Sequence, residues 1–432
     1  MNARRLPPWS PAATLVATLC IIVPLVASVP SSAAELKFDR VVIDNDFPAA
    51  YQVEVADVNG DGKPDIVAVG GDTCAWYQNP TWKKRVVTGP KQTPGIISSA
   101  TRDIDGDGKA EIAIGYDFEM NEPWRGKLLL ARQGKTLDAP WTVEPVADVP
   151  SVHRLRWGIF YDLDRSRVGL VVAPIFGPSA RPPLFNQEAA RPRLFFVDVR
   201  SRLVPAKGPA FGTAPVLHAI DVSNGEGASR LLGASNRGVT SFNGMIVIAG
   251  SPAYVPINLV AGAPGNAPKK GASEIHVGHL KDGREFLATV EPWHGTDVAV
   301  YLAEKPEPSR FIPRTAEALG PRPGDHLEKP EPSRFIPRTV LDTSLKEGHA
   351  LWVADVDGDG DDEVFAGYRG PGTSVLMYDF NGKTWDRTVV DDHIAAQDLR
   401  GGDLDGDGIP DVVAVGGSTH NVIWYRPTRR VR

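Results

Sequence analysis

The stretch DVNGDGKPD at Asp57–Asp65 decides the fold, because close copies of it recur as DIDGDGKAE at Asp103–Glu111, DVDGDGDDE at Asp355–Glu363 and DLDGDGIPD at Asp403–Asp411. Each copy places oxygen-bearing side chains at its first, third, fifth and ninth positions. These are Asp57, Asn59, Asp61 and Asp65; Asp103, Asp105, Asp107 and Glu111; Asp355, Asp357, Asp359 and Glu363; and Asp403, Asp405, Asp407 and Asp411. Three early side chains, a backbone carbonyl and a late closing carboxylate make an oxygen shell suited to Ca2+. Glycines at the fourth and sixth positions supply backbone angles that a Cβ would oppose. About four structural Ca2+ sites are therefore expected.

Outward from each loop the chain turns apolar. QVEVADV precedes the first loop and DIVAVG follows it; ALWVADV and EVFAGY flank the third. Short β-branched runs on either side of a tight loop read as a strand hairpin. A third strand follows in each copy (CAWYQN, KLLLAR, SVLMYDF, NVIWYRP), and usually a fourth (KKRVVTG, WTVEPV, WDRTVVDD). Four antiparallel strands repeating about every 45–60 residues is the pattern of a propeller blade. Three degenerate copies, around Asp162, Asp221 and Asp282, keep the strands and lose the full carboxylate set. The count is seven blades in an all-β chain. The last copy has only three strands, while KFDRVVIDND at Lys37–Asp46 matches the fourth strand of other blades. The N-terminal strand is therefore expected to complete the last blade and close the ring, removing the ring's open edge.

EKPEPSRFIPRT occurs at Glu304–Thr315 and again at Glu328–Thr339. Residues 316–339 read as a tandem duplication carried as a Pro-rich loop between blades five and six, tolerated because closure entropy grows slowly with length.

Of 432 residues, 42% are hydrophobic and 23% charged, with a net charge of -6 and no basic stripe interleaved with aromatics. That excludes a nucleic-acid footprint. Residues 1–34 read as a signal peptide: Arg4 and Arg5, an apolar stretch from Ala12 to Val29, then Ser32-Ala33-Ala34. The propeller then spans 35–432, secreted or periplasmic, monomeric, and free of the membrane once the signal is cleaved. Cleavage removes Cys20 and leaves Cys74, expected as a packed apolar residue without a disulfide.

The loops also orient the blades. If they join first to second strands on one face, the first strands begin on the opposite face. His153, His218, His276, His349 and His393 fall at those beginnings, and His294 and His420 in turns after second strands. Seven of the nine histidines thus converge on one funnel, with Tyr51, Arg154, Arg156, Asp117, Trp293, Tyr368 and Arg369 at comparable positions. Imidazoles suit proton transfer and transition-metal binding, so an additional divalent metal in the funnel is part of the expectation. Arginines suit an enolate or carboxylate, and Trp293 a sugar ring. Candidate catalytic residues are His153, Arg156, His218, His276, His294, His349, Tyr368 and Arg369.

The repeated acidic loops between short strands resemble the FG-GAP or VCBS repeats of Ca2+-binding propellers. SVHRLRW, EGASRLLG, ATVEPWHG, EGHALWVADVDGDGDDEVFAGYRG and GGSTHNVIWY resemble the propeller of aldos-2-ulose dehydratase-type proteins. That resemblance implies metal-assisted elimination of water from a keto-sugar, and related lyases eliminate across a uronic acid. Either chemistry needs a base, a charge stabiliser and an acid, and the funnel offers His349 or His153 as base or metal ligand, Arg154, Arg156 or Arg369 as charge stabiliser, and Tyr368 as acid. Two readings of the funnel stay open on sequence: a dehydratase- or lyase-like site, or a non-catalytic site for a carbohydrate or protein ligand.

Overall fold

The structure, a computed structural model, describes residues 36–162, 165–207, 211–224, 228–248, 251–305, 335 and 337–428. The expected signal segment, Cys20, His326 and most of residues 316–339 lie outside them. The described residues form strands and turns with no α-helix, and so no helix able to cross a membrane.

Seven four-stranded antiparallel sheets are present. Blade one holds β2 (Ala50–Ala56), β3 (Asp65–Gly70), β4 (Thr73–Gln78) and β5 (Lys83–Thr88). Blade two holds β6 (Ser98–Arg102), β7 (Glu111–Tyr116), β8 (Lys127–Arg132) and β9 (Thr142–Asp148). Blade three holds β10 (Val152–Asp162), β11 (Arg165–Pro174), β12 (Arg193–Val197) and β13 (Leu203–Pro205). Blade four holds β14 (Ala219–Asn224), β15 (Ser229–Ser235), β16 (Gly238–Ile248) and β17 (Ser251–Val260), followed by a small hairpin, β18 (Ala263–Asn266) and β19 (Lys269–Gly271). Blade five holds β20 (Glu274–His279), β21 (Glu285–Glu291), β22 (Asp297–Leu302) and β23 (Thr339–Asp342). Blade six holds β24 (Gly348–Ala354), β25 (Glu363–Tyr368), β26 (Ser374–Phe380) and β27 (Trp385–Asp391). Blade seven holds β28 (Ala396–Gly402), β29 (Asp411–Gly416) and β30 (Asn421–Thr428). Its outer strand is β1 (Lys37–Asp44), paired antiparallel to β30 from Lys37↔Thr428 to Asp44↔Val422. The ring closes as the sequence predicts. The duplicated stretch is placed differently: it falls between β22 and β23, so it interrupts blade five instead of separating blades five and six.

The first strands touch in the cyclic order β2, β6, β10, β14, β20, β24, β28 and back to β2, and so line a central channel. Second strands such as DIVAVG are buried along their whole length, which is why they read as unbroken apolar runs. The core is not one mass: seven of its clusters each lie between two neighbouring sheets, and a smaller one lies at the funnel wall. Val53, Ile66, Ala68 and Tyr77 of blade one pack with Val413, Val415 and Trp424 of blade seven, and the same arrangement repeats around the ring. Cys74 is a buried free thiol in one of these seams.

A polar clasp recurs at three seams. The outer strand of one blade ends in an aspartate that accepts a hydrogen bond from a third-strand tyrosine of the next blade and pairs with a basic fourth-strand residue there. Asp44 takes Tyr77 at 2.6 Å and Lys84 at 2.7 Å. Asp342 takes Tyr378 at 2.8 Å and Arg387 at 2.8 Å. Asp391 takes Tyr425 at 2.6 Å and Arg40 at 2.7 Å. Burial works to raise these three carboxyls, but the donated hydrogen bonds outweigh it and hold each below its ordinary value of 3.8. A depressed folded-state pKa adds stability that is present above pH 3.8 and lost as pH falls through the folded value. Asp391→Ala strips a buried tyrosine and an arginine on the closing strand of their acceptor. Chemical denaturation should show a loss of about 2–4 kcal/mol, against about 1 kcal/mol for Tyr425→Phe. A wild-type midpoint for Asp391→Ala would remove the clasp from the account of closure.

Candidate functional site

The funnel side chains are aimed by a repeated backbone device. Ala49, Ser151, Val216 and Glu347 have φ of 49°, 58°, 52° and 60°, a left-handed conformation that L-residues adopt at a cost. Two residues beyond each lies Tyr51, His153, His218 or His349. The ladder register between first and second strands skips Tyr51, His153 and His349. Such a bulge turns the extra residue off the sheet, here into the channel mouth. His294 arrives from the other side, in the turn after β21, with φ of 48°.

Four imidazoles and a phenol result. Ring centroids are 4.8 Å apart for His153 and His218, 4.8 Å for His218 and His294, 5.0 Å for His218 and His349, and 5.1 Å for His294 and His349. The ligand nitrogens of His218, His294 and His349 lie within 4.8 Å of one another. Tyr51 Oη stands 3.0 Å from His153 Nε2 and 3.4 Å from His349 Nε2.

Hydrogen-bond partners settle the tautomers. His153 Nδ1 donates to the His218 carbonyl at 2.8 Å, and His349 Nδ1 to the Gln397 carbonyl at 2.7 Å. His218 Nδ1 faces the Ser273 carbonyl at 3.1 Å and Glu274 Oε1 at 2.8 Å. Nδ1 therefore carries the proton in all three, and three Nε2 lone pairs face the shared space. Tying Nδ1 to an oxygen is how metal-ligating histidines are oriented. His294 is the exception: Arg369 Nη2 donates to its Nδ1 at 3.2 Å, so its proton sits on Nε2, 3.0 Å from His218 Nε2.

His153, His218 and His349 are almost fully buried. Burial first, with the positive charge of Arg154 or Arg369 adding to it in each case, holds all four histidines well below the ordinary value of 6.5. They are neutral at physiological pH and able to accept a proton or a metal. Arg154, also buried, reaches His153 Nε2 at 3.3 Å and lies 3.8 Å from Glu274. Neither Glu274 nor the Ser273 carbonyl stands out in the sequence as a partner of His218; only ring closure brings them there.

One tier deeper lie His276, Arg156, Arg400, Asp221, Asp398 and Glu54. Burial brings Arg156 down to about 10 and His276 to about 4. His276 pairs with Asp221 at 3.5 Å and accepts from Arg400 Nη1 at 3.2 Å. His276 and Arg156 thus line the channel below the imidazole cluster and do not join it.

Other expected members of the funnel are elsewhere. His393 is exposed beside Asp392, and His420 is exposed with its carbonyl accepting from Phe47 N. Tyr368, expected as an acid, donates its hydroxyl to the Gly372 carbonyl, and Tyr51 holds the position facing the imidazoles. Asp117 pairs with Arg125 and Lys127. Trp293 is buried against Phe176 and Phe185, so it packs the funnel wall and offers no ring face to a sugar.

On the other face, the four acidic loops share one hydrogen-bonding plan. The opening aspartate accepts two glycine N–H groups, as Asp57 does from Gly60 at 2.8 Å and Gly62 at 2.9 Å; Asp103, Asp355 and Asp403 do the same. The closing carboxylate accepts the N–H of the second loop residue, at 3.0 Å for Asp65 and 2.8 Å for Asp411. Gly60 and Gly62 hold φ of 74° and 82° to permit this. Carboxylate oxygens come within 4.8 Å of one another in three loops, through Asp103, Asp105 and Glu111; Asp355, Asp357 and Asp359; and Asp403, Asp405 and Asp411. Burial, then neighbouring carboxylates, push Asp65 and Asp411 up to about 6 and Glu363 to about 9. Glu363 Oε1 is buried without a hydrogen-bond partner. An orphaned oxygen amid crowded negative charge fits a cation. In blade two Arg132 already reaches Glu111 at 3.0 Å and Asp105 at 3.6 Å.

A sequence profile of the FG-GAP-like repeat matches residues 57–114, which hold the first two acidic loops. No curated protein sequence matches the chain. Among solved structures, a putative 6-phosphogluconolactonase from Bacteroides uniformis ATCC 8492 is 11% identical, covering 89% of this chain and 92% of its own at a TM-score of 0.45. The β-propeller domain of Myceliophteria thermophila Cps50 (Swd1) is 9% identical, covering 90% and 100% at 0.48. The chain is a seven-bladed β-propeller with an FG-GAP-like repeat.

The deeper tier makes a pH-dependent contribution of its own. His276 ionises near 6.5 when unfolded and near 4 when folded, so the unfolded chain binds the extra proton between those values and stability falls as pH drops through that window. His276→Gln should flatten the fall between about pH 6.5 and 4 in denaturation midpoints. An unchanged slope would assign the loss to other groups.

Proposed function

We propose that this chain is a secreted, Ca2+-stabilised propeller that carries out metal-assisted β-elimination on a keto-sugar or uronate at the imidazole cluster. The observation that carries the reading is the convergence of neutral imidazoles, three with Nδ1 tied to oxygen, beside a phenol and two arginines. That donor set fits a borderline divalent ion such as Zn2+, held by His218, His294 and His349. For His294 to hold such an ion through Nε2, its proton would have to sit on Nδ1, and Arg369, which now donates to that nitrogen, would be free to face a substrate. When bound, a divalent ion there would supply a Lewis acid for a carbonyl or carboxylate oxygen.

The chain's own residues supply the proton transfers. His153 Nε2 accepts the proton from the carbon next to the carbonyl; the electron pair forms the C=C bond and expels the β-oxygen. Tyr51, 3.0 Å from His153, donates its phenolic proton to the departing oxygen and recovers one from His153. Arg154 and Arg369 stabilise the enolate charge as it develops.

The test is incubation of the protein, with Zn2+, Mn2+ or Mg2+ supplied separately, with keto-sugars and uronate oligosaccharides, following unsaturated products by ultraviolet absorbance. His349→Ala and His153→Ala should each lower the rate by about 10²–10⁴-fold. Full turnover in His349→Ala, or no product from wild type with any ion, overturns the assignment and favours a non-catalytic glycan-binding funnel.

The acidic loops call for a separate measurement. At free Ca2+ about 100 times its Kd, each filled site adds about 2.7 kcal/mol to folding. Chelation should lower the melting temperature sharply and Ca2+, not Mg2+, should restore it; melting that ignores the chelator removes Ca2+ from the reading.

A further inference from the structure

Eight large hydrophobic residues are exposed among the described residues, and only Trp124 is aromatic. Val42, Val86, Val340 and Val389 are outward positions on fourth strands, where alternation leaves every second side chain in solvent. Trp124 has no such explanation. It is 52% exposed in the turn between β7 and β8, on the funnel face.

That turn is rigid. Arg125 bonds Asp117 Oδ1 through Nε at 3.1 Å and Nη2 at 2.6 Å, and Glu122 through Nη1 at 2.8 Å. The Arg125 carbonyl accepts from Ser151 N at 2.6 Å, which fixes the turn to the start of blade three. Arg181, from the segment after β11, lays its guanidinium 5.3 Å from the Trp124 ring. Its Nη1 donates to the carbonyls of Pro178 and Ala180, and no ion pair neutralises it among the described residues. Leu184 of the same segment is 39% exposed. This rim is continuous with the funnel: Phe118 begins the Trp124 turn and lies 5.8 Å from His153, while Phe118 and Met120 pack on Phe176, Phe185 and Trp293.

We propose that Trp124 and Arg181 form a rim subsite for a second sugar of an acidic oligosaccharide, so that the funnel takes the end of a uronate chain. The inference rests on the funnel reading above. A preorganised indole presents a flat face to the C–H face of a pyranose, and ordering costs little because the turn is already pinned. An uncompensated guanidinium beside it selects a carboxylate over a neutral sugar. A free keto-sugar at the imidazoles would leave this platform without a use.

Isothermal titration of the full chain compares monomers and tetramers of galacturonate, mannuronate and guluronate with neutral cellotetraose and maltotetraose. A uronate tetramer should bind about three- to ten-fold more tightly than its monomer. Trp124→Ala should bring the tetramer to the monomer's level, with melting temperature as the folding control, and Trp124→Phe should keep most of the gain. Arg181→Ala should erase the preference for acidic over neutral tetramers. Equal affinity for monomer and tetramer, unchanged tetramer binding in Trp124→Ala, equally tight neutral tetramers, or no tetramer binding at all each overturns the rim subsite. Monomer turnover without chain-length dependence leaves the funnel reading standing; tetramer binding without unsaturated product leaves the rim and removes the elimination.

Discussion

The ring of this molecule depends on β1 pairing with β30, because that pairing completes the last sheet and sets it beside the first. Each apolar seam lies between two blades, so the seam between blades seven and one, from Val53 to Trp424, exists only when the last sheet is in place. The N-terminal strand supplies the fourth strand of that sheet. Arg40 ties it to Asp391 of blade six, and Asp44 ties it to Tyr77 of blade one. A terminal strand that lies between the chain's own blades is bound on both sides. This closure couples the two ends of the chain across more than 380 residues of sequence separation, so loop-closure entropy works against it until the seams form.

Closure also creates the functional geometry. His153, His218, His294 and His349 come from blades three, four, five and six, and Tyr51 comes from blade one. No two of these five are near in sequence, yet first strands that lean on each other bring them into contact. The left-handed residues ahead of them and the bulges at Tyr51, His153 and His349 are strained or irregular elements placed where side chains must leave the sheet. Packing four imidazoles with Arg154 and Arg369 excludes charge from them. The cluster is neutral because its surroundings are positive and dry, and neutral imidazoles are the form that accepts protons or metal.

The two faces of the ring divide the work. Acidic loops crowd one face, and their shared hydrogen bonding shows that the four copies fold alike despite Asn59 and the Glu/Asp exchange at the closing position. The opposite face carries irregular connections, including the Trp124 turn and the segment bearing Arg181. Regular loops repeat on one face, and irregular connections surround the funnel on the other.

What the sequence determined by itself was whatever repeats. Four loops with fixed spacing set strand direction and the face on which His153, His218, His294 and His349 begin, three degenerate strand copies completed the blade count, and KFDRVVIDND declared itself a fourth strand by likeness to TWDRTVVDD. Only the tertiary structure decided depth and angle. His276 sits at a strand start like the others but one tier lower; His393 and His420 point outward; Trp293 turns into the wall; Tyr51 takes the position expected of Tyr368. The physical reason is that repeat spacing specifies which strand end a residue occupies. Whether its side chain reaches the axis depends on a bulge, a left-handed turn and the neighbours supplied by the next blade, none of which has a local signature.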